Sequence, residues 1–114
     1  MNVVTPEISV IIPVHNGEKY LAEAIQSVLD QGHAAIEILV VDNASTDGTA
    51  RIAPGFSSVR YFFLAEKGVV NALNHGVQQS RGTLLGFLDA DDLYLPGSLA
   101  ALAVGAALVV AGCS

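Results

Sequence analysis

Ile36-Glu37-Ile38-Leu39-Val40-Val41-Asp42 is the stretch that decides how this sequence folds. It is a continuous and mostly β-branched apolar run, as expected of a strand covered on both faces of a parallel sheet. It delivers Asp42 to its C-terminal end. Upstream, Ile8-Ser-Val-Ile-Ile-Pro13 has the same character and is ended by proline, giving a first buried strand. Between the two, apolar residues recur at Leu21, Ala24, Ile25, Val28 and Leu29, the spacing of a helix with one buried stripe, and Gly32 is its stop. Downstream, Ser45, Thr46 and Asp47 are good helix N-caps, so a short helix is expected through Thr49 to Ala53, broken by Pro54-Gly55. Val59 to Leu64 reads as a third strand. From Gly68 to Ser80 the apolar positions Val69, Val70, Leu73, Gly76 and Val77 predict a second amphipathic helix, closed by Arg81-Gly82. Thr83 to Leu88 is the fourth strand, ending in Asp89-Ala-Asp-Asp92.

Strands alternating with helices through short loops imply right-handed crossovers. The expected fold is therefore α/β, a Rossmann-like, mostly parallel sheet with helices on both faces. Ligands of such sheets bind outside the carboxyl ends of the strands, where the strand order reverses. Asp42 and the Asp89 to Asp92 cluster both lie at such ends.

The chain has 114 residues, room for one domain but less than the usual size of a complete two-substrate enzyme. Over half of it is hydrophobic (52%) and only 14% charged, which excludes a disordered chain. Five Lys and Arg, scattered, against a net charge of -6 argue against a nucleic-acid surface. One cysteine, Cys113, excludes a disulfide framework and a Cys-based zinc site. With no secretory signal at the N-terminus, the expected location is cytoplasmic, or peripheral at the inner face of the membrane. Leu99 to Gly112 is apolar but shorter than the roughly 20 residues that span a bilayer. The tail is expected to form a helix after Pro96-Gly97 and a final strand through Ala107 to Ala111; so few charges favour pairing with a second copy, as a homodimer, or with a partner subunit.

The first turn excludes a dinucleotide site, because Pro13-Val-His-Asn-Gly-Glu18 has one glycine where the pyrophosphate fingerprint needs three. A P-loop motif is absent too. In Asp89-Ala-Asp91-Asp92 several carboxylates crowd one strand end and repel one another. A divalent cation, Mg²⁺ or Mn²⁺, would resolve that repulsion, since both take oxygen ligands and are usually held by one or two carboxylates plus substrate phosphates. A polar turn capping the next helix is the other reading of the same residues.

Four motifs occur in order: Ser9-Val-Ile-Ile-Pro-Val-His-Asn-Gly17, Val41-Asp-Asn-Ala-Ser-Thr-Asp-Gly-Thr49, Gly68 through Asn74 and Gly76, and Gly86-Phe-Leu-Asp-Ala-Asp-Asp92. Together they resemble the inverting GT-A glycosyltransferases of family 2, over the stretch from about Glu7 to Pro96. The resemblance implies a nucleotide-diphosphate sugar as donor, with a UDP-sugar favoured, and a single GT-A donor-binding domain over 1–114. It implies that Asp42 accepts a hydrogen bond from the imide N–H of a uracil or similar base, a role that suits an acceptor-only carboxylate. A helix-capping turn is the alternative for Asp42. Pro13 and the turn after it, including Asn16, form one wall of the base pocket, and His15 either stacks on the base or is an exposed turn residue. Asp89 and Asp91 match the acidic positions of the DXD motif. Asp91 is then the metal ligand, and Asp89 lies near the ribose or assists the metal. Asn74 and Gly76 match positions that serve packing or sugar-diphosphate contacts.

Two departures stand out: Asn43 occupies the place of a second aspartate, and Leu73 that of an arginine. No catalytic base is assigned within the chain, since in inverting members it lies well downstream of the DXD loop. The expected activity is transfer of a sugar, with inversion, onto a cell-envelope polysaccharide, lipid or similar acceptor. The alternatives are a non-catalytic nucleotide-sugar-binding or assembly module and, behind both, a nucleotidyltransferase.

Overall fold

A computed structural model describes residues 7–32, 36–88 and 110–111. Strand β1 (Ile8–Val14) leads through helix α1 (Leu21–Leu29) to β2 (Ile36–Asn43). Two short 3-10 turns, Gly48–Arg51 and Ala53–Gly55, then precede β3 (Val59–Leu64). Helix α2 (Val69–Gln79), β4 (Leu84–Leu88) and a short β5 (Val110–Ala111) follow. The sheet order is β3-β2-β1-β4-β5, and all of these pairings are parallel. The order runs outward from β1 to β3 and then restarts on the other side at β4, so the reversal lies between β1 and β4. That is the Rossmann-like arrangement expected.

Alternation along the central strands sorts residues to two faces. Ile8, Val10 and Ile12 of β1 with Ile38 and Val40 of β2 pack beneath the α1 stripe of Leu21, Ala24, Ile25 and Val28. Each of the larger of these side chains contributes about 1.5–3 kcal/mol by leaving water. On the other face Ile11 and Val41 meet Ala72 of α2, with Phe62, Leu64 and Phe87 at the margin.

Helix α2 departs from its expected packing. Ala72 and Gly76 are buried, whereas Val69, Val70 and Val77, counted among its apolar face, are 57%, 64% and 42% exposed. Close approach decides this face: a Cβ on Gly76 would lie 2.5 Å from Ile11 Cγ2. The seam between helix and sheet is made of the smallest residues and not of the most hydrophobic ones. Strand β2 also runs further than the apolar pattern indicates, through Asp42 and Asn43. The expected helix over Thr49 to Ala53 is a pair of 3-10 turns, the first capped by Asp47, which accepts from the Thr49 amide at 2.9 Å. The tail strand is met in part, as β5 beside β4. The tail helix lies outside the described residues. Among the described residues no helix is long and apolar enough to cross a membrane.

Candidate functional site

The extension of β2 has a direct consequence at its carboxyl end. Neighbouring residues of a strand point to opposite faces, so Asp42 and Asn43 cannot serve the same pocket. Asp42 falls on the α1 face and is fully buried. Its Oδ1 accepts from the Ser45 amide at 3.0 Å and its Oδ2 from the Tyr61 hydroxyl at 2.5 Å. Burial first, then the hydrogen bond to Asp42 and its charge, push the Tyr61 hydroxyl well above the usual phenol range, so it stays a donor. Asp42 therefore holds the turn after β2 and the Tyr61 hydroxyl, and it does not line the pocket beside the β1 terminus.

Asn43 falls on the α2 face. With Pro13, Val14, His15 and Val69 it lines a small pocket of about 100 Å³ beside the β1 terminus. Asn43 is only 7% exposed, and its Oδ1 is buried with no hydrogen-bond partner among the described residues. Such an acceptor costs about 1–3 kcal/mol if nothing fills it. His15 is held in this pocket by Nδ1, which donates to the Asn43 carbonyl oxygen at 2.6 Å. That leaves Nε2 to accept, at 3.4 Å, from the Asn16 amide. Pro13 and His15 thus share one wall of this pocket.

Asn16 does a different job. Its backbone adopts φ 53°, and its Oδ1 accepts from the amides of Thr46 and Asp47 at 2.8 and 3.3 Å, while its own N–H donates to Ser45 Oγ at 2.8 Å. Next to it, Gly17 N–H donates to Thr49 Oγ1 at 3.0 Å, and Glu18 accepts from Gly48 N–H at 2.9 Å. A side chain at Gly48 would collide with that Glu18 carboxylate. Asp47 takes the Thr49 hydroxyl, and hydrogen bonds led by that one hold its carboxyl below the usual range. The Asn43 to Thr49 motif is therefore a clasp between the loops after β1 and β2. Ala44, at φ 58°, takes up the turn that the clasp imposes.

Asn74 is not in this pocket. It lines a separate groove between α2 and the end of β3. Gly76 is the close-packing residue described above. β4 ends at Leu88 beside β1, which brings the chain to the same edge of the sheet as Asn43. Asp89 and Asp91, the expected metal ligands, lie outside the described residues, and among the described residues no three acidic, His or Cys groups cluster to hold a metal.

Sequence reasoning missed Asn43, Tyr61 and Val69. Asn43 was recoverable, because carrying the strand pattern two residues beyond Val41 puts it on the face shared with Pro13. Tyr61 and Val69 reach Asp42 and the pocket only through tertiary packing.

Comparison with known proteins bears on the family and the fold. The sequence matches the model of glycosyl transferase family 2 over residues 9–105. An uncharacterised glycosyltransferase of Rickettsia typhi is 40% identical over 99 residues, 86% of this chain but 31% of that protein. Among solved structures, S. aureus TarS 1-349 in complex with UDP superposes with a TM-score of 0.80 at 30% identity, covering 86% of this chain and 31% of that one. The mannosyltransferase PcManGT of Pyrobaculum calidifontis, in complex with GDP-Man and Mn²⁺, gives 0.77 at 29%, covering 87% and 32%. The chain thus spans about a third of each, and the fold is the GT-A fold of those transferases. With the family model matched over residues 9–105, a span that contains all four motifs, the chain belongs to glycosyl transferase family 2.

Proposed function

We propose that this chain forms the donor-binding part of a glycosyltransferase that takes a sugar from a nucleotide-diphosphate sugar, with UDP as the carrier. The unpartnered Oδ1 of Asn43 carries the reading. An imide N–H of uracil would supply the donor that this acceptor lacks, and the pocket of about 100 Å³ suits a single-ring base better than a purine. Pro13 and His15 wall the base, the His15 ring being fixed through its Nδ1 bond to Asn43. Asp42 acts one step back: by holding Ser45 and Tyr61 it sets the turn that presents Asn43. The complexes of TarS with UDP and of PcManGT with GDP-Man and Mn²⁺ support a nucleotide-sugar donor and a divalent cation.

Asp89 and Asp91 supply hard carboxylate oxygens of the kind Mn²⁺ or Mg²⁺ takes, and they directly follow β4 at the edge where the pocket lies. Asp91 would hold the cation, with Asp89 assisting it or lying near the ribose. When bound, such an ion neutralises negative charge on a departing nucleoside diphosphate. Inversion, and a polysaccharide, lipid or other cell-envelope acceptor, belong to the same reading.

Calorimetric titration of UDP, with GDP and dTDP beside it, tests this in Mn²⁺ and again after EDTA. Saturable UDP binding that needs the metal and disappears in Asp91→Ala is the expected result. A folded chain that takes up none of the three nucleotides would overturn the reading.

A further inference from the structure

Helix α2 packs over β1 and β2, drawn in by Gly76 against Ile11, and β3 is the outermost strand beyond them. The flank of α2 that overhangs β3 therefore has no helix beside it among the described residues, and a groove of about 430 Å³ opens there. Its volume is in the range of small-ligand sites. The groove shares no lining residue with the Asn43 pocket.

The lining has a definite chemistry. Asn71, Asn74, His75 and Gln78 follow one another at helical spacings of three and four, so they form one stripe. Leu64 and Glu66 face them from the end of β3 and the loop after it. Among the described residues no Lys or Arg lines the groove, which removes the means of holding a phosphate or carboxylate. Three primary amides offer donors and acceptors side by side. Among the described residues, the only hydrogen bond these four side chains make is a long one, Asn71 Nδ2 to the Lys67 carbonyl at 3.4 Å. His75 is steadied from below, its ring edge-on to Phe62 with centroids 5.0 Å apart, and Arg60 lies over that same Phe62 at 5.3 Å.

The sequence of α2 points the same way. Asn and His are poor helix formers, and an exposed helix face is solvated with less loss by Glu, Lys or Gln. Asn74 and His75, in the interior of this eleven-residue helix, therefore weaken it, as expected of residues kept for contact with a ligand.

We propose that the groove between α2 and the end of β3 binds a neutral saccharide, its hydroxyls paired with the amides of Asn71, Asn74 and Gln78 and with His75, at a place separate from the nucleotide pocket. Neutral amides match hydroxyl groups, which both donate and accept, and Glu66 accepts from hydroxyls while repelling acidic sugars.

Nitrogen-15 NMR of the full chain tests it, with chitotriose, cellotriose and mannotriose as neutral probes, trigalacturonate as the charged control, and UDP titrated separately. At least one neutral trisaccharide should move the side-chain amide signals of Asn71, Asn74 and Gln78 saturably, leaving the Asn43 signals in place. The double variant Asn74→Ala with Gln78→Ala alters exposed residues only and should keep a dispersed spectrum while binding that sugar roughly tenfold more weakly. UDP should leave the groove signals still, so failure of the nucleotide reading would register separately. The proposal is overturned if no neutral probe moves these signals, if the double variant binds as well as the parent, or if trigalacturonate binds more tightly than every neutral probe.

Discussion

At the amino ends of the strands Glu37 accepts from Ser9 Oγ at 2.6 Å, from the Arg81 amide at 2.5 Å and from Arg60 at 2.9 Å. Ser9 Oγ in turn accepts from the Gly82 amide at 2.8 Å, and Arg60 also donates to the Gln79 carbonyl at 2.9 Å. At the carboxyl ends the backbone turns through positive φ at Asn16 and Ala44, and Asn43 Oδ1 is buried without a partner among the described residues. One edge of the sheet satisfies its polar groups with its own residues and ties β1, β2, β3 and the chain entering β4 together. The other leaves an acceptor open beside a pocket. An edge completed by protein contributes stability, whereas an edge left incomplete is, under the proposed function, the one that a ligand completes.

Substitutions can break that division. Glu37→Ala should cost the most, about 3 kcal/mol in urea unfolding, because it strands Arg60 and the donors of Ser9 and Arg81. Loss of UDP affinity in the fraction still folded would contradict the division. The same carboxylate gives a pH signature. Burial alone would raise its pKa, but the bonds from Ser9, the Arg81 amide and Arg60, with the Arg60 charge, bring it below the ordinary value of 4.5. A depressed acid stabilises the fold above its unfolded pKa, so this contribution should be complete above about pH 4.5 and fall away as the pH drops through the folded value. Glu37→Gln should flatten that part of the stability profile.

Gly76→Ala should follow at about 2 kcal/mol, since the added methyl meets Ile11 and α2 must lift from β1. A thermal melt reads this directly, and an unchanged midpoint would mean the seam has slack. Tyr61→Phe should cost about 2 kcal/mol by leaving the buried Asp42 without one donor. This variant sharpens the comparison: being at the carboxyl end, it should also weaken nucleotide binding, through a looser turn at Asn43.

The strands and α1 were legible in the sequence because continuous apolar runs and a five-residue stripe admit one reading in a parallel sheet. The face of α2 was not, because hydrophobicity marks Val69, Val70 and Val77 while the buried seam is selected for small size at Ala72 and Gly76. The site was half legible. Pro13 and His15, singled out by the motif, line one pocket with Asn43, whereas Asp42 faces the other way, since a strand that continues two residues longer turns adjacent side chains to opposite faces. The clasp of Asn16 with Ser45, Thr46 and Asp47 reads as helix capping until the two loops are seen together.

The most direct test is UDP calorimetry in Mn²⁺ on the parent chain, Asn43→Ala and Asp42→Asn, with the unfolding of each measured in parallel. Asn43→Ala should hold the parent's stability or exceed it while binding UDP roughly tenfold more weakly, because it removes an acceptor that only the ligand satisfies. Asp42→Asn should lose stability and, where folded, still bind. An Asn43→Ala chain that binds UDP as tightly as the parent, beside a folded Asp42→Asn chain that does not bind, would return the base contact to Asp42 and contradict the division of the two edges.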